Sequence, residues 1–350
     1  LVDGKEFMTG DTKIAMKNLP TSIVEKIKAY DEKSDLARIT GVDDGEETTV
    51  LDFGLKKGMN RGTFANVDLG LGNHSRYAER GMGAYFDDKN RLMMFGSANN
   101  VNDMGFPGGG RGRFGAGRQG LNAAKMLGFN YNYEKVKKIR IDLSAFWRHN
   151  DGDAFTRSSA ENFVNTTGAF SNSIRQNYSR SDSWNVQGRL EWQPDTMTNI
   201  MFRPTLSWSK SDGLTTATSA SFNADPYLYS ESPLDDSELE EMSREGIVVN
   251  SQKSNSISYS NSKNLSGMLQ VNRKLGNKGR NITFRVDAKY TDKDSKSISL
   301  NNAKLYLVQT AEGKDSTYQT NRYNLTPSKD YSYAGQLTYS EPLWKATFLQ

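Results

Sequence analysis

Ser183-Trp184-Asn185-Val186-Gln187-Gly188-Arg189-Leu190-Glu191-Trp192 is the stretch that decides how this chain folds. Trp184, Val186, Gly188, Leu190 and Trp192 fall on one phase. Ser183, Asn185, Gln187, Arg189 and Glu191 fall on the other. A break follows at Pro194 to Thr198, and then the alternation resumes. Ile200, Phe202, Leu206 and Trp208 stand against Asn199, Arg203, Thr205 and Ser207. Successive side chains of a strand point to opposite faces, so this is a hairpin with one apolar and one polar face.

Two architectures present such a face. A soluble antiparallel sheet buries it on a core. A transmembrane barrel turns it to lipid and keeps a polar, wet interior. Asn, Gln, Arg and Glu on the polar phase suit a lumen. Tryptophans near the turn (Trp192) and near the far end (Trp184, Trp208) suit the two membrane interfaces.

Composition agrees with a barrel. Hydrophobic residues make up 35% of the 350, below the roughly 45–50% of ordinary globular domains. A barrel needs only one apolar side per strand. Aromatic residues at 11% argue against disorder. The charge of +4, from 45 basic and 41 acidic residues, is too balanced to imply a nucleic-acid partner. The absence of cysteine removes disulfides and thiol metal sites. No apolar run is long enough for a membrane helix. The chain reads as a fragment of a longer protein, starting inside one domain and stopping inside an apolar alternation.

Outward from the central hairpin, the dyad pattern persists from Gly62. Ala65, Val67, Leu69 and Leu71 form one apolar face, and Met82, Ala84 and Phe86 the next, before a tight turn at Asp87 to Asn90. Arg91 to Ala98 is a strand whose residues do not assign its faces. Further apolar faces are Leu127 to Tyr133, Ile139 to Trp147, Leu265 to Val271, Ile282 to Tyr290 and Tyr331 to Tyr339. Short turns at Asp87, Glu134, Pro194, Gly276 and Glu341–Trp344 alternate with mostly long polar connections at 73–80, 100–120, 150–182, 210–263 and 293–330. That alternation is the arrangement of bacterial outer-membrane barrels. A soluble sandwich would not place its long loops so consistently at one end. Pro204 within a strand predicts a bulge or an edge. Residues 1–57 differ: a helix starting at Asp11-Thr12, a helical stripe of Ile14, Ala15, Leu19, Ile23 and Ile27 that Pro20 interrupts, so that the helix ends near Asn18 and a new element begins at Ser22, and a short strand from Val50 to Leu55 give a small α+β segment.

Several strings resemble one family. Val2-Asp3-Gly4-Lys5, Met16-Lys17-Asn18-Leu19-Pro20 and Val24-Glu25-Lys26-Ile27 resemble the plug of TonB-dependent outer-membrane receptors. Tyr30 to Asp35, Thr40 to Gly45, Asn99 to Phe106, Asn272 to Leu275, Lys278 to Thr283 and Tyr339 to Leu343 resemble the Bacteroidetes branch labelled outer membrane beta-barrel protein. The resemblance implies an all-β fold: part of a plug over residues 1–57, then residues 58–350 as about ten to eleven strands of a larger barrel of roughly 22. It implies a receptor that binds a scarce nutrient through extracellular loops and imports it by plug movement. It implies outer-membrane lipid and lipopolysaccharide as surroundings, an inner-membrane TonB-type energy-coupling complex and a surface lipoprotein as partners. The alternative is an outer-membrane barrel that serves adhesion, scaffolding or assembly without transport. A soluble β-rich binding module is the third reading.

Candidate chemistry is sparse. Gly110-Arg111-Gly112-Arg113-Phe114-Gly115 matches G-x-G-x-x-G, but a dinucleotide fingerprint needs a strand before it and a helix opening at it. A glycine-rich surface loop is the better reading, and Arg111, Arg113, Phe114 and Arg118 are its candidate ligand contacts, for an anion or a lipopolysaccharide phosphate. Asp235, Asp236, Glu238, Glu240 and Glu241 match no calcium loop and read as a short exposed acidic helix. His74 and His149 read as loop residues. No catalytic set, cofactor motif or metal site stands out. Asn185, Gln187, Arg189, Arg203, Arg285, Asp287 and Lys289 are the candidate lumen-facing residues. The apolar faces are expected to point away from residues 1–57, which are expected inside the barrel.

Overall fold

In the computed structural model the chain is almost wholly antiparallel strand. It describes residues 1, 4, 24–40, 45–56, 61–102, 120–136, 138–164, 167–276, 279–309, 311, 313, 315–344 and 347–349. An N-terminal unit comprises β1 (Val24–Lys33), helix α1 (Asp35–Thr40) and β2 (Glu47–Leu55), with β1 and β2 paired. A second sheet of 12 strands carries the rest. Its members are β3 (Gly62–Gly72), β4 (Arg76–Phe86), β5 (Asn90–Asn99), β6 (Leu121–Lys135), β7 (Ile139–Glu161), β8 (Phe170–Trp192), β9 (Thr198–Phe222), β10 (Val248–Lys274), β11 (Asn281–Gln309), β12 (Asp315–Leu325), β13 (Ser328–Trp344) and β14 (Thr347–Leu349). Sequence neighbours pair throughout, except that β12 and β13 share one edge of β11. The connection Thr326-Pro327 separates those two strands, as a residue without an N–H should. This is the meander of an up-and-down barrel wall.

Register separates the faces cleanly. Trp184 pairs with Trp147 and with Trp208, and Leu190 with Ile141 and with Phe202, so the apolar phases share one side. On that side Trp184, Leu190 and Phe284 are 39%, 37% and 48% exposed, while Arg189 and Glu191 on the other are 7% and 5% exposed. The polar face is thus the covered one, and the apolar face is bare. Water would not tolerate so wide an apolar surface, whereas lipid requires it. Trp184 and Trp192 bracket roughly 26 Å of strand at ~3.3 Å per residue. At a ~45° tilt that is ~19 Å of height, which lies within an apolar band about 25 Å tall.

The expected facing fails at β4. Met82, Ala84 and Phe86 are buried with Met93, Phe95 and Met126 against Phe53 and Leu55 of β2. Gly81, Gly83 and Tyr85 take the outer phase instead, in register with Val67, Ala65 and Thr63. The hairpin β1–β2 packs its own apolar side on the wall here, so the wall answers with an apolar patch on its inner face. Gly128 belongs to the same contact, since a Cβ there would overlap the Phe95 ring.

Other corrections have local causes. Ile27 lies in β1, in the element expected after Pro20, while Ile14, Ala15, Leu19 and Ile23 fall outside the described residues. Much of the long polar connections is strand: β9 and β10 pair from Phe222–Val248 down to Thr198–Arg273. Mostly polar residues continue the ladder beyond the apolar band. Within the 210–263 connection the expected acidic helix is present as α2 (Asp236–Arg244), seated by Leu239 and Met242 on Ala220, Phe222, Val248 and Tyr306. Strand β13 runs through Glu341–Trp344, so the turn comes after it. Pro204 lies in mid-sheet, neither at an edge nor at a bulge, and pairs with Gly267. Across from it, a Cβ on Gly188 would come within 3.1 Å of the Pro204 ring, so a glycine there accommodates the proline. The turn at Asp87 is built as expected: Asn90 and Lys89 donate to its carboxylate and hold it well below the usual range.

Gly188→Val should collide with Pro204 and lower stability by about 1–3 kcal/mol. Gly96→Val, with its Cβ 3.4 Å from the Met126 carbonyl, should cost less. Urea midpoints of the detergent-solubilised protein measure both.

Candidate functional site

The site is where the N-terminal unit meets the polar face of the sheet. Helix α1 opens with a cap, the Ala37 N–H donating to Ser34 Oγ at 3.0 Å. Its one and a half turns then present Asp35 and Arg38 to the wall. The Arg38 guanidinium straddles Glu191 of β8, with Nη2 donating to Oε2 at 2.8 Å and Nη1 to Oε1 at 3.2 Å. Arg189 Nη2 donates to Asp35 Oδ1 at 2.8 Å, and Arg203 of β9 pairs with Asp35 Oδ2. Asn199 Nδ2 donates to Glu191 Oε1 at 2.9 Å. Two carboxylates and three guanidiniums therefore interlock across the contact.

Such a latch differs from the apolar contact beside it. Phe53 and Leu55 gain by leaving water and need no particular register. The ionic set has fixed partners, and a buried pair attracts little net stability because desolvation offsets much of the attraction. It specifies where α1 sits more than it holds α1 down. An element seated this way can leave its seat at modest cost if water enters to solvate both sides.

Beyond α1 the polar face changes character. Ser183, Ser209 and Ser262 are directly opposite one another on β8, β9 and β10. The next level is Ser181, Ser211, Ser260 and Ser295, and the one after it Ser179, Gly213, Ser258 and Ser297. Arg148 of β7 and Lys293 of β11 flank the first level of this stretch, and small hydroxyl side chains line it on β8, β9 and β10. They offer donors and acceptors while leaving the space in front of the wall free.

Of the residues singled out from sequence, Arg189 and Arg203 meet on Asp35. Arg285 donates to its own strand neighbour, Nε to Asp287 Oδ2 at 2.7 Å. Asn185, Gln187 and Lys289 lie on the same face. Arg111, Arg113, Phe114 and Arg118, with the glycine-rich string around them, lie outside the described residues. His74 is in a turn, as expected, with φ of 57°. His149 is in β7, not in a loop, and bridges Asp182 at 2.8 Å and Asp151 at 2.9 Å. The sequence reading missed Asp35, Arg38 and Glu191 as a set. Glu191 shares the phase of Arg189, which was a usable signal, but nothing local links either to a helix 154 residues earlier.

No family model matches the sequence, and no curated protein does. Among solved structures the chain is similar to the siderophore receptor PiuA from Acinetobacter baumannii, at 9% identity and a TM-score of 0.27, over 91% of this chain and 52% of that one. It is similar to the ferric yersiniabactin uptake receptor FyuA from Yersinia pestis, at 9% identity and 0.22, over 92% and 50%. It is similar to the copper transporter OprC, at 12% identity and 0.22, over 99% and 69%. The chain spans about half the length of the first two. The fold assignment rests on strand order and register, described above.

Glu191→Leu takes from Arg38 both of its contacts with β8, while Arg189 keeps Asp35. It should destabilise the seated state by about 2 kcal/mol. Amide exchange over Asp35–Thr40 should accelerate, while exchange in β9 and β10 stays unchanged.

Proposed function

We propose that this chain is part of an outer-membrane receptor and transporter, with residues 1–57 belonging to a plug and residues 58–350 to the barrel around it. The observation that carries the reading is the ionic seating of α1 on the inner wall of a sheet whose outer wall is built for lipid. A plain pore needs no such unit inside it, and an adhesin needs no seat that releases. Import through the barrel requires the unit to move and then return to a defined place, which fixed ion pairs in a wettable interface provide.

The serine-lined wall supports a polar path for solute once α1 has left. Loop residues Arg111, Arg113, Phe114 and Arg118 are proposed as first contacts for the ligand. Work to unseat the plug would come from an inner-membrane energy-coupling complex of the TonB type, and a surface lipoprotein is a further proposed partner. The barrel itself performs no covalent chemistry in this scheme.

The chain has no cysteine, so a tether is easily introduced. Asp35→Cys with Arg203→Cys, joined by a short bismaleimide, should abolish energy-dependent uptake in cells expressing the full-length protein. The same double variant left untethered is the reference, and its uptake should exceed that of the tethered protein by at least about tenfold. Uptake that survives the tether would refute plug movement at this seat.

A further inference from the structure

The outer face does not stay polar above the membrane. Level with the tryptophan row, Trp208 is followed by Lys263, Asp292 and Lys329 on β10, β11 and β13. The next two levels on the same face are mostly charged. They hold Lys125, His149, Asp182 and Lys210, then Asp151, Arg180 and Asp212. An apolar stripe then returns. Tyr178, Leu214, Ile257, Ile298 and Tyr323 stand directly opposite one another across β8, β9, β10, β11 and β12. All of them are exposed, Ile257 at 57% and Tyr323 at 63%.

Hydrocarbon cannot be what covers this stripe, because two charged levels separate it from the apolar band. Tyr178 stands about 20 Å along the strand from Trp184, or ~14 Å in height at a ~45° tilt. That is the layer just outside the lipid interface. The stripe also has relief. Helix α2 closes over the sheet above it, where Lys253 donates to Asp236 at 2.6 Å and Lys304 lies 4.0 Å from Glu240. A hollow of about 840 Å³ forms at this level, lined by Tyr178, Arg180, Asp212, Leu214, Ile257 and Tyr259. Apolar and aromatic surface with a few charged groups at its rim is the make-up of a small-ligand site, and the volume lies in that range. A flat protein interface would need roughly 800 Å² of continuous contact per partner, wider than one stripe between charged rows.

We propose that this outer groove binds the sugar chain of an outer-leaflet glycolipid. Pyranose rings present apolar C–H faces that lie on tyrosine and aliphatic side chains, and hydroxyl rims that hydrogen-bond Arg180, Asp151 and Asp212. The lysines beneath, Lys125 and Lys210, sit where the phosphorylated headgroup would be. The proposal rests on the outer-membrane reading above and adds a second site, on the opposite side of the wall from the solute path.

The test uses the full-length protein in detergent. Its probes are deacylated lipopolysaccharide core oligosaccharide and, separately, the acylated phosphorylated disaccharide stripped of that core. The groove variant is Tyr178→Ala with Ile257→Ala, and Arg180→Ala is tested alone. The control, Thr216→Ala with Asn255→Ala, changes the adjacent level. Heat-modifiable migration confirms folding of each. Wild type should bind the oligosaccharide. The groove variant and Arg180→Ala should weaken binding about tenfold or more, with the control unchanged. Equal oligosaccharide binding by wild type and groove variant would overturn the proposal, as would binding of the disaccharide alone. A photo-crosslinker at position 257 that captures a protein instead of glycolipid would also overturn it. Fractionation outside the outer membrane would defeat the underlying reading instead, and the same titration still decides whether the groove takes sugar.

Discussion

Every backbone donor and acceptor that enters hydrocarbon must find a partner within the protein, and this single requirement shapes the molecule. Paired strands satisfy it only side by side, so the chain runs as one continuous meander. Pairing in turn fixes two faces with different solvents. From Trp184 to Trp192 the outer face needs apolar side chains at every second residue, and the inner face is left free for charge. Arg189 and Glu191 can therefore sit within a membrane-spanning strand because they never meet lipid. Their partners come from α1, and the ionic seat exists because the wall's inner face is not obliged to be apolar.

Where the inner face is apolar, the reason lies across the interface. Phe53 and Leu55 of β2 must leave water, and Met82, Phe86, Met93 and Phe95 receive them. The two kinds of contact divide the work of holding the N-terminal unit. The apolar patch supplies most of the adhesion and the ion pairs supply position.

That division also explains what could be read from the sequence. Alternation is a local property, and it located the strands and the outer faces of β6 to β11 and β13. It failed at β4, where Met82, Ala84 and Phe86 alternate with Gly81 and Gly83: both phases lack charge, and the larger side chains face a partner about 30 residues earlier in sequence. The long strand extensions were hidden because their alternation is sparse: between Ser254 and Ser260 only Ile257 and Tyr259 are apolar, set among serines and flanked by charged levels. The acidic helix was legible from its own charges. The latch was half legible: Arg189 and Arg203 were recognisable as inward-facing cations, but Asp35 and Arg38 are joined to them only by the folded chain.

The orientation of the wall is the claim on which everything else depends, and a nitroxide scan tests it directly. Cysteines placed one at a time from Ser183 to Trp192, spin-labelled in the full-length protein in bilayers, report access to oxygen and to a water-soluble nickel chelate. Positions 184, 186, 188, 190 and 192 should be accessible to oxygen, and the odd-numbered positions between them shielded from it. Shielding of positions 184, 186 and 190 from both quenchers would mean that these side chains close a soluble core, and the membrane account would be wrong.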